Sequence, residues 1–96
     1  MKNEVETIKK KLIPVLKKNK VVKAGIFGSY ARGEQKRNSD IDILIKIDDK
    51  EFSLLDLIAL EMKLNDVLGK RVDLVEYKAL HYLLKKRVLG EEIKII

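Results

Sequence analysis

The residues best suited to chemistry lie in one stretch, Ile26 to Ile47, where a glycine–serine pair precedes two aspartates. Ten residues separate Gly28 and Ser29 from Asp40, and Asp42 follows after a single isoleucine. Alternate residues of a strand share a face, so the two carboxylates are expected about 6–7 Å apart on one side of a strand. Carboxylates this close repel each other unless a cation lies between them. Such oxygen ligands suit Mg²⁺, which leaves its other positions to water and substrate phosphate.

The glycine–serine pair has the properties of a phosphate-binding turn. Gly28 lets an anion approach the backbone closely, and a helix beginning at Ser29 would direct free N–H groups toward it. Arg32 follows three residues later, near the same helix face, where its guanidinium can bind phosphate oxygens. A phosphate site beside metal-binding acids on adjacent strands is what phosphoryl or nucleotidyl transfer requires.

A third acid, Asp73, lies inside the short apolar stretch RVDLV. Aspartate is disfavoured within strands, so its presence needs a reason. One explanation is an ion pair with Arg71 or Lys70. The other is that Asp73 is a third metal ligand and a general base. The residues by themselves leave both explanations open.

The surrounding pattern predicts seven elements that position these residues. Hydrophobic periodicity, caps and glycines indicate them as follows: a helix over 2–18 that Pro14 kinks or divides near Leu12, a strand Val21–Phe27, a short helix Ser29–Arg32, a strand Asp40–Ile47, a helix Ser53–Leu68, a strand Arg71–Val75 and a helix Ala79–Leu89 ended by Gly90. The tail with Ile93, Ile95 and Ile96 forms either a short extra strand or an apolar cover. This order predicts an α/β (α+β) layer fold, with three main strands in a small mixed sheet and helices covering its isoleucine-rich face.

Two helices carry apolar stripes that are interpreted as core. In the helix after the second strand the stripe comprises Leu57, Leu60, Leu64, Val67 and Leu68, joined by Leu54 and Ile58; in the last helix it comprises Leu80, Leu83, Leu84 and Val88. Asp48 and Asp49 are interpreted as structural turn residues. Lys36 and Arg37 either hold a triphosphate or are solvated loop charges, and no chemistry is assigned to His81.

Length and composition exclude several classes of protein. The 96 residues make one domain, over 1–96. There is no cysteine and only one histidine, which rules out disulfides, thiolate sites and multi-histidine zinc sites. No apolar run approaches the roughly 20 residues of a membrane span, and the start lacks a signal-peptide core, so a cytoplasmic location is expected. The net charge of +6 suits triphosphates, RNA or an acidic protein surface.

The segment GSYARGEQKRNSDID resembles the signature of the minimal nucleotidyltransferases (MNT) of the DNA polymerase beta-like superfamily, and the likeness extends over the whole chain. The resemblance implies Mg²⁺-dependent transfer of AMP from ATP to a hydroxyl, with release of pyrophosphate. It implies that Gly28, Ser29 and Arg32 bind the nucleotide. The implied catalytic residues, which would also hold two Mg²⁺ ions, are Asp40, Asp42 and Asp73.

The chain shows no segment for gripping the base or the acceptor, so a second copy or another protein is expected to complete the site. The family resemblance implies an MntA-type antitoxin that pairs with a HEPN-class RNase toxin and adds AMP to a tyrosine of that toxin. Neither a membrane nor direct nucleic-acid binding is required for this. Two alternatives stay open: a nucleotidyltransferase acting on a small molecule or an RNA end, and a non-catalytic module that neutralises a partner by contact.

Overall fold

The elements form in the predicted order. In the computed structural model, which describes residues 4–96, they are α1 Glu4–Lys18, β1 Val21–Phe27, α2 Ser29–Arg32, β2 Ile41–Ile47, α3 Leu54–Leu68, β3 Val72–Glu76, a 3₁₀ turn Tyr77–Ala79, α4 Tyr82–Glu91 and β4 Ile93–Lys94. Residues 2 and 3 of the predicted first helix lie outside the described residues. The α+β fold with a mixed sheet is confirmed, and the tail adds the two-residue strand β4.

The order of the strands brings the candidate residues to one end of the sheet. The order is β3-β2-β1-β4, with β1 antiparallel to both β2 and β4, and with β2 parallel to β3. The end of β1 therefore lies beside the beginnings of β2 and β3. Phe27 pairs with Asp42, and Asp42 pairs with Asp73. Residues far apart in the sequence thus become neighbours across three strands.

The isoleucine-rich face of the sheet forms the core. Helices α1 and α3 pack together and cover it. The buried side chains of this core include Val5, Ile8, Leu12 and Leu16 of α1, Ile26, Ile41, Ile43 and Ile45 of the sheet, and Leu60 and Leu64 of α3. This burial holds β1 and β2 in a fixed register, because a slip by one residue would turn the isoleucines toward solvent.

Of the two effects predicted for Pro14, a kink or a division of the first helix, the division is wrong. Helix α1 runs without interruption from Glu4 to Lys18. Proline lacks the N–H that would bond to the carbonyl four residues earlier. Pro14 lies on the exposed side of α1, while Leu12 and Leu16 on either side of it are fully buried. The packing of these two leucines stabilises the helix where the backbone hydrogen bond of residue 14 is missing.

Helix α3 has the predicted caps but an unexpected second apolar face. Ser53 and Asp56 form a capping box, and Gly69 ends the helix with a left-handed φ of 64°. Leu54 and Ile58, expected in the core, are 70% and 45% exposed. The helix is apolar on two sides, and only the side with Leu60 and Leu64 meets the sheet.

Helix α4 departs most from the prediction. It begins at Tyr82 instead of Ala79, and Gly90 lies inside it instead of ending it. Leu83 and Leu84 are exposed, and Val88 is its only buried residue. The leucine stripe of this ten-residue helix therefore makes little contact with the sheet.

The aspartate face of the sheet is partly covered. Leu44 shares this face with Asp42 and is fully buried, although it lies outside the main core. A Cβ built on Gly25 would lie 2.0 Å from Oε2 of Glu92, which shows that the Glu92 side chain lies over the sheet there. Leu44 and Glu92 thus cover the middle of this face, and exposed residues lie at both of its ends, Asp73 at one and Lys46 at the other. Within residues 4–96, no helix is long and apolar enough to cross a membrane.

Candidate active site

Gly28 and Asp42 are in direct contact at the end of β1. Gly28 has a φ of 74°, a conformation that residues with a Cβ rarely adopt. A Cβ placed there would lie 2.2 Å from Oδ2 of Asp42. Glycine is thus required twice, for the turn after β1 and for the space taken by the carboxylate. The predicted phosphate turn and the predicted metal-binding acid are adjacent groups of one site.

The environment of Asp42 disfavours its charged form. Burial, followed by the charges of Asp73 and Asp40, raises the pKa of Asp42 from 3.8 to about 6. The nearby Arg32 opposes this increase. The strand predicted over Asp40–Ile47 begins one residue later, at Ile41. Asp40 therefore lies just before β2, where it is exposed. The three acids nevertheless lie close enough for their charges to interact.

Asp73 does not have the ion-pair partner that the sequence suggested as an alternative. Lys70 pairs with Glu4 at 3.8 Å instead, and the ion pairs formed within residues 4–96 do not include Asp73. Burial, then the charges of Glu61 and Asp40, raise the pKa of Asp73, and the charge of Arg71 only partly opposes them. A carboxylate surrounded mostly by other carboxylates favours cation binding over a structural ion pair.

The acids suit a metal that is shared with a substrate. In the part of the chain that the structure describes, no group of three histidine, cysteine, aspartate or glutamate side chains is arranged to hold a metal by itself. Mg²⁺ usually takes only one or two protein carboxylates and completes its octahedron with water and phosphate oxygens. Asp42 and Asp73, paired across parallel strands beside Gly28, supply such a donor set.

The predicted anion-binding groups are present and already engaged by an internal carboxylate. Oε1 of Glu91 accepts hydrogen bonds from Gly28 N–H at 3.2 Å and from Arg32 Nη1 at 3.1 Å. Arg32 also donates through Nε to Glu34 at 2.9 Å. Ser29 is the half-buried first residue of α2. Because α2 has only four residues, individual donors matter here more than a helix dipole.

Sequence reasoning missed two acids near the site, Glu91 and Glu61. Glu61 of α3 accepts the backbone N–H of Leu74 at 2.9 Å, next to Asp73. Glu91 reaches the site because β4 pairs with β1, with Ile93 opposite Ile26. The possible extra strand was foreseen in the tail, but its pairing partner was not. This pairing is the signal that locates Glu91, because a tail strand paired with β1 places the residues before Ile93 beside Gly28.

Comparison with known proteins agrees with this arrangement. Residues 10–96 match the family described as polymerase beta, nucleotidyltransferase. A relative from Methanocaldococcus jannaschii is 50% identical over 92 residues, which span 96% of this chain and 98% of that protein. The protein adenylyltransferase MntA of Thermococcus cleftensis is 46% identical over 71 residues, 74% of this chain and 71% of that protein.

Solved structures share the fold. A crystal structure of a toxin–antitoxin with AMP-PNP superposes with a TM-score of 0.81 and 32% identity, covering 92% of this chain and 72% of that one. The complex of the tri-AMPylated Shewanella oneidensis HEPN toxin with its MNT antitoxin gives a TM-score of 0.74 and 26% identity, covering 95% of this chain and 71% of that one. The sequence matches, the shared fold and the contact between the glycine turn and Asp42 agree with one another. They confirm the family resemblance seen in the sequence. The chain belongs to the polymerase beta nucleotidyltransferase family.

Proposed function

We propose that this chain is a Mg²⁺-dependent protein adenylyltransferase that acts as an antitoxin, transferring AMP from ATP to a tyrosine of a HEPN-type RNase toxin. The observation that carries the chemistry is the contact of Gly28 with Asp42, with Asp73 opposite Asp42 on the next strand. The choice of ATP and of a HEPN partner is supported by relatives named protein adenylyltransferase and by the complexes of MNT antitoxins with their toxins.

The residues divide into a binding group and an acidic group. Gly28 N–H, Ser29 and the Arg32 guanidinium bind the phosphate tail of ATP, and Arg32 offsets charge that develops on the leaving pyrophosphate. Asp40, Asp42 and Asp73 are the residues that would hold Mg²⁺. When bound, Mg²⁺ supplies charge neutralisation for the phosphates and lowers the pKa of the attacking hydroxyl.

The transfer itself requires one proton to be removed and one bond to be exchanged. The tyrosine oxygen of the acceptor attacks the α-phosphorus of ATP, the bond from that phosphorus to the pyrophosphate oxygen breaks, and pyrophosphate leaves. The phenolic proton passes to a carboxylate of the site, and Asp73 is the proposed acceptor because burial, followed by the charges of neighbouring acids, raises its pKa. The acceptor must be brought by another molecule, and we propose that a hetero-oligomer with the toxin does so.

Labelling tests this function. The chain is incubated with Mg²⁺, ATP labelled in the α-phosphate and a HEPN-type RNase toxin. Label is expected on a tyrosine of that protein, and Asp42→Asn is expected to abolish it while leaving the far-ultraviolet circular dichroism unchanged. Label on RNA or on a small molecule would instead indicate a different acceptor class. Binding and neutralisation of the partner without any label would indicate a non-catalytic module.

A further inference from the structure

Glu91 binds two of the hydrogen-bond donors that are proposed to bind the phosphate tail of the nucleotide. One of its carboxylate oxygens accepts hydrogen bonds from both Gly28 N–H and Arg32 Nη1, as a phosphate oxygen would. Its side chain is only 18% exposed, so the carboxylate is held in the pocket and does not extend into water. Its charge also reaches Asp42, where it adds to the repulsion from the other acids.

The backbone around Glu91 positions it in the pocket. Glu91 is the last residue of α4, and two residues later β4 begins to pair with β1. The neighbouring Glu92 lies against Gly25 and its carboxylate contacts the Tyr77 hydroxyl. The segment that follows α4 is therefore held at β1 by the pairing of β4, and near Tyr77 by the contact of Glu92. These two attachments place Glu91 at the end of β1.

We propose that Glu91 is an internal competitor of the triphosphate, so that the nucleotide-free enzyme is held in an autoinhibited state by its own C-terminal segment. This inference rests on the proposed function, because it assumes that Gly28 and Arg32 bind the phosphate tail. A phosphate group cannot take both donors while the carboxylate holds them. The two anions also repel each other at close range, so ATP binding requires Glu91 to leave the pocket.

The competition sets the affinity for ATP. Part of the binding free energy of the triphosphate is used to break the two hydrogen bonds of Glu91, and the apparent Kd rises accordingly. Removing the carboxylate is expected to tighten nucleotide binding by roughly 5- to 30-fold, the change that corresponds to one or two hydrogen bonds of about 1 kcal/mol each. A residue that only supported the fold would not improve binding when it is removed.

Calorimetric titration with Mg²⁺ and AMP-PNP tests the inference directly. Glu91→Gln keeps the shape and removes the charge, and Glu91→Ala removes the carboxylate altogether. Both variants are expected to bind AMP-PNP more tightly than the wild-type chain. The matched control is Glu34→Gln, because Glu34 also pairs with Arg32 but is exposed and does not contact Gly28. Its Kd is expected to stay within about twofold of the wild-type value.

A second measurement uses only the wild-type chain. Hydrogen exchange of the peptide covering 88–96 is expected to become faster when Mg²⁺ and AMP-PNP are added, because the segment loses the contacts of Glu91 as the nucleotide binds. Unchanged or slower exchange of that peptide would contradict the inference, whatever the behaviour of the variants.

The outcomes separate this inference from the proposed function. If the wild-type chain binds AMP-PNP and the Glu91 variants bind it no more tightly, autoinhibition is overturned while the nucleotidyltransferase function stands. If neither the wild-type chain nor Glu91→Ala binds AMP-PNP, both are overturned. Binding by Glu91→Ala together with weaker or undetectable binding by the wild-type chain supports both.

Discussion

At the scale of single residues, the site is a small region in which several carboxylates lie close together. Besides burial, the charges of Asp73 and Asp40 disfavour the ionised form of Asp42, and Glu91 lies close enough to add to this effect. A fold that only needed stability would not gather these charges, because each ionised carboxylate weakens the next. This arrangement is what we expect if, as proposed, a cation and a phosphate complete the site when substrate binds.

Asp42→Asn is expected to stabilise the chain in metal-free buffer at neutral pH, by about 1 kcal/mol after allowance for solvent screening. The folded pKa of Asp42 is about 6, above its ordinary value of 3.8, so the folded state binds the proton more tightly than the unfolded state. Stability of the wild-type chain therefore falls as the pH rises from about 4 to about 6.

Urea unfolding with a chelator present, at several pH values, checks this prediction. The difference between Asp42→Asn and the wild-type chain is expected to be near zero below pH 4 and full above pH 6. A variant that is less stable at neutral pH would show that Asp42 is not held under repulsion.

Gly28→Ala is expected to disrupt the site, whereas Gly69→Ala is its matched control. Both glycines have a positive φ, 74° and 64°, but their ψ angles differ. Gly69, with a ψ of 23°, lies in the left-handed helical region, whereas Gly28, with a ψ of −150°, lies in a region almost restricted to glycine. The backbone cost of alanine is therefore about 1 kcal/mol at Gly69 and larger at Gly28. Only at Gly28 does the new Cβ meet Asp42, while the space at Gly69 is open. Thermal unfolding and AMP transfer are the measurements. Both variants are expected to lose stability, Gly28→Ala more, with transfer lost only in Gly28→Ala at a temperature where both are folded; retained transfer there would contradict the assigned contact.

At the scale of elements, the site depends on strand ends that are fixed by the packing of α1 and α3. The isoleucines of β2 are buried by these helices, and the alternate residues of that strand then carry Asp42 on the opposite face. The helices thus position the site without contributing to its chemistry. Helix α4 differs, because its end enters the site while its exposed leucines leave most of it loosely packed.

Ser53→Ala is expected to weaken the fold and leave catalysis unchanged. The hydroxyl of Ser53 accepts the backbone N–H of Asp56, and the carboxylate of Asp56 accepts the N–H of Ser53, which caps the beginning of α3. Losing the serine cap costs about 1 kcal/mol. Chemical unfolding measures this loss, and Ser53→Thr, which keeps the hydroxyl, is expected to restore most of it. A loss of AMP transfer in Ser53→Ala at a temperature where it is fully folded would contradict the purely structural role of this cap.

At the scale of the whole molecule, the chain is small and leaves much apolar surface exposed, so bound ligands are expected to add substantially to its stability. A domain of 96 residues buries only about two-thirds of its unfolded surface. Ten large apolar side chains of the described residues remain exposed, among them Leu54 and Leu55 of α3 and Tyr82 and Leu83 of α4. Both features are consistent with a protein that works together with a partner.

Mg²⁺ with AMP-PNP is therefore expected to raise the melting temperature of the whole chain strongly. A ligand at a hundredfold its Kd stabilises by about 2.7 kcal/mol, which for a domain of this size corresponds to roughly 10–20 °C. Differential scanning calorimetry with and without Mg²⁺ measures the shift. In Asp42→Asn the part of the shift that depends on Mg²⁺ is expected to disappear; its persistence would show that Asp42 does not hold the metal.

Local signals in the sequence were enough to locate most of the elements and to indicate the chemistry proposed for the site. Hydrophobic alternation, the Ser53 cap and the glycine turns are local signals, so the strands and α3 could be located without the fold. The spacing from Gly28 to Asp42 likewise indicated nucleotide chemistry, because the turn and the strand are joined by a short connection.

The partners that these residues meet became known from the three-dimensional fold. The contact of Gly28 with Asp42, the pairing of Asp42 with Asp73 and the approach of Glu91 all depend on how strands pair across long sequence separations. The exposure of Leu54, Ile58 and Leu83 also could not be predicted, because periodicity shows that a helix has an apolar face but not whether a partner in the same chain covers it. Local propensity fixes elements, whereas long-range packing fixes their neighbours.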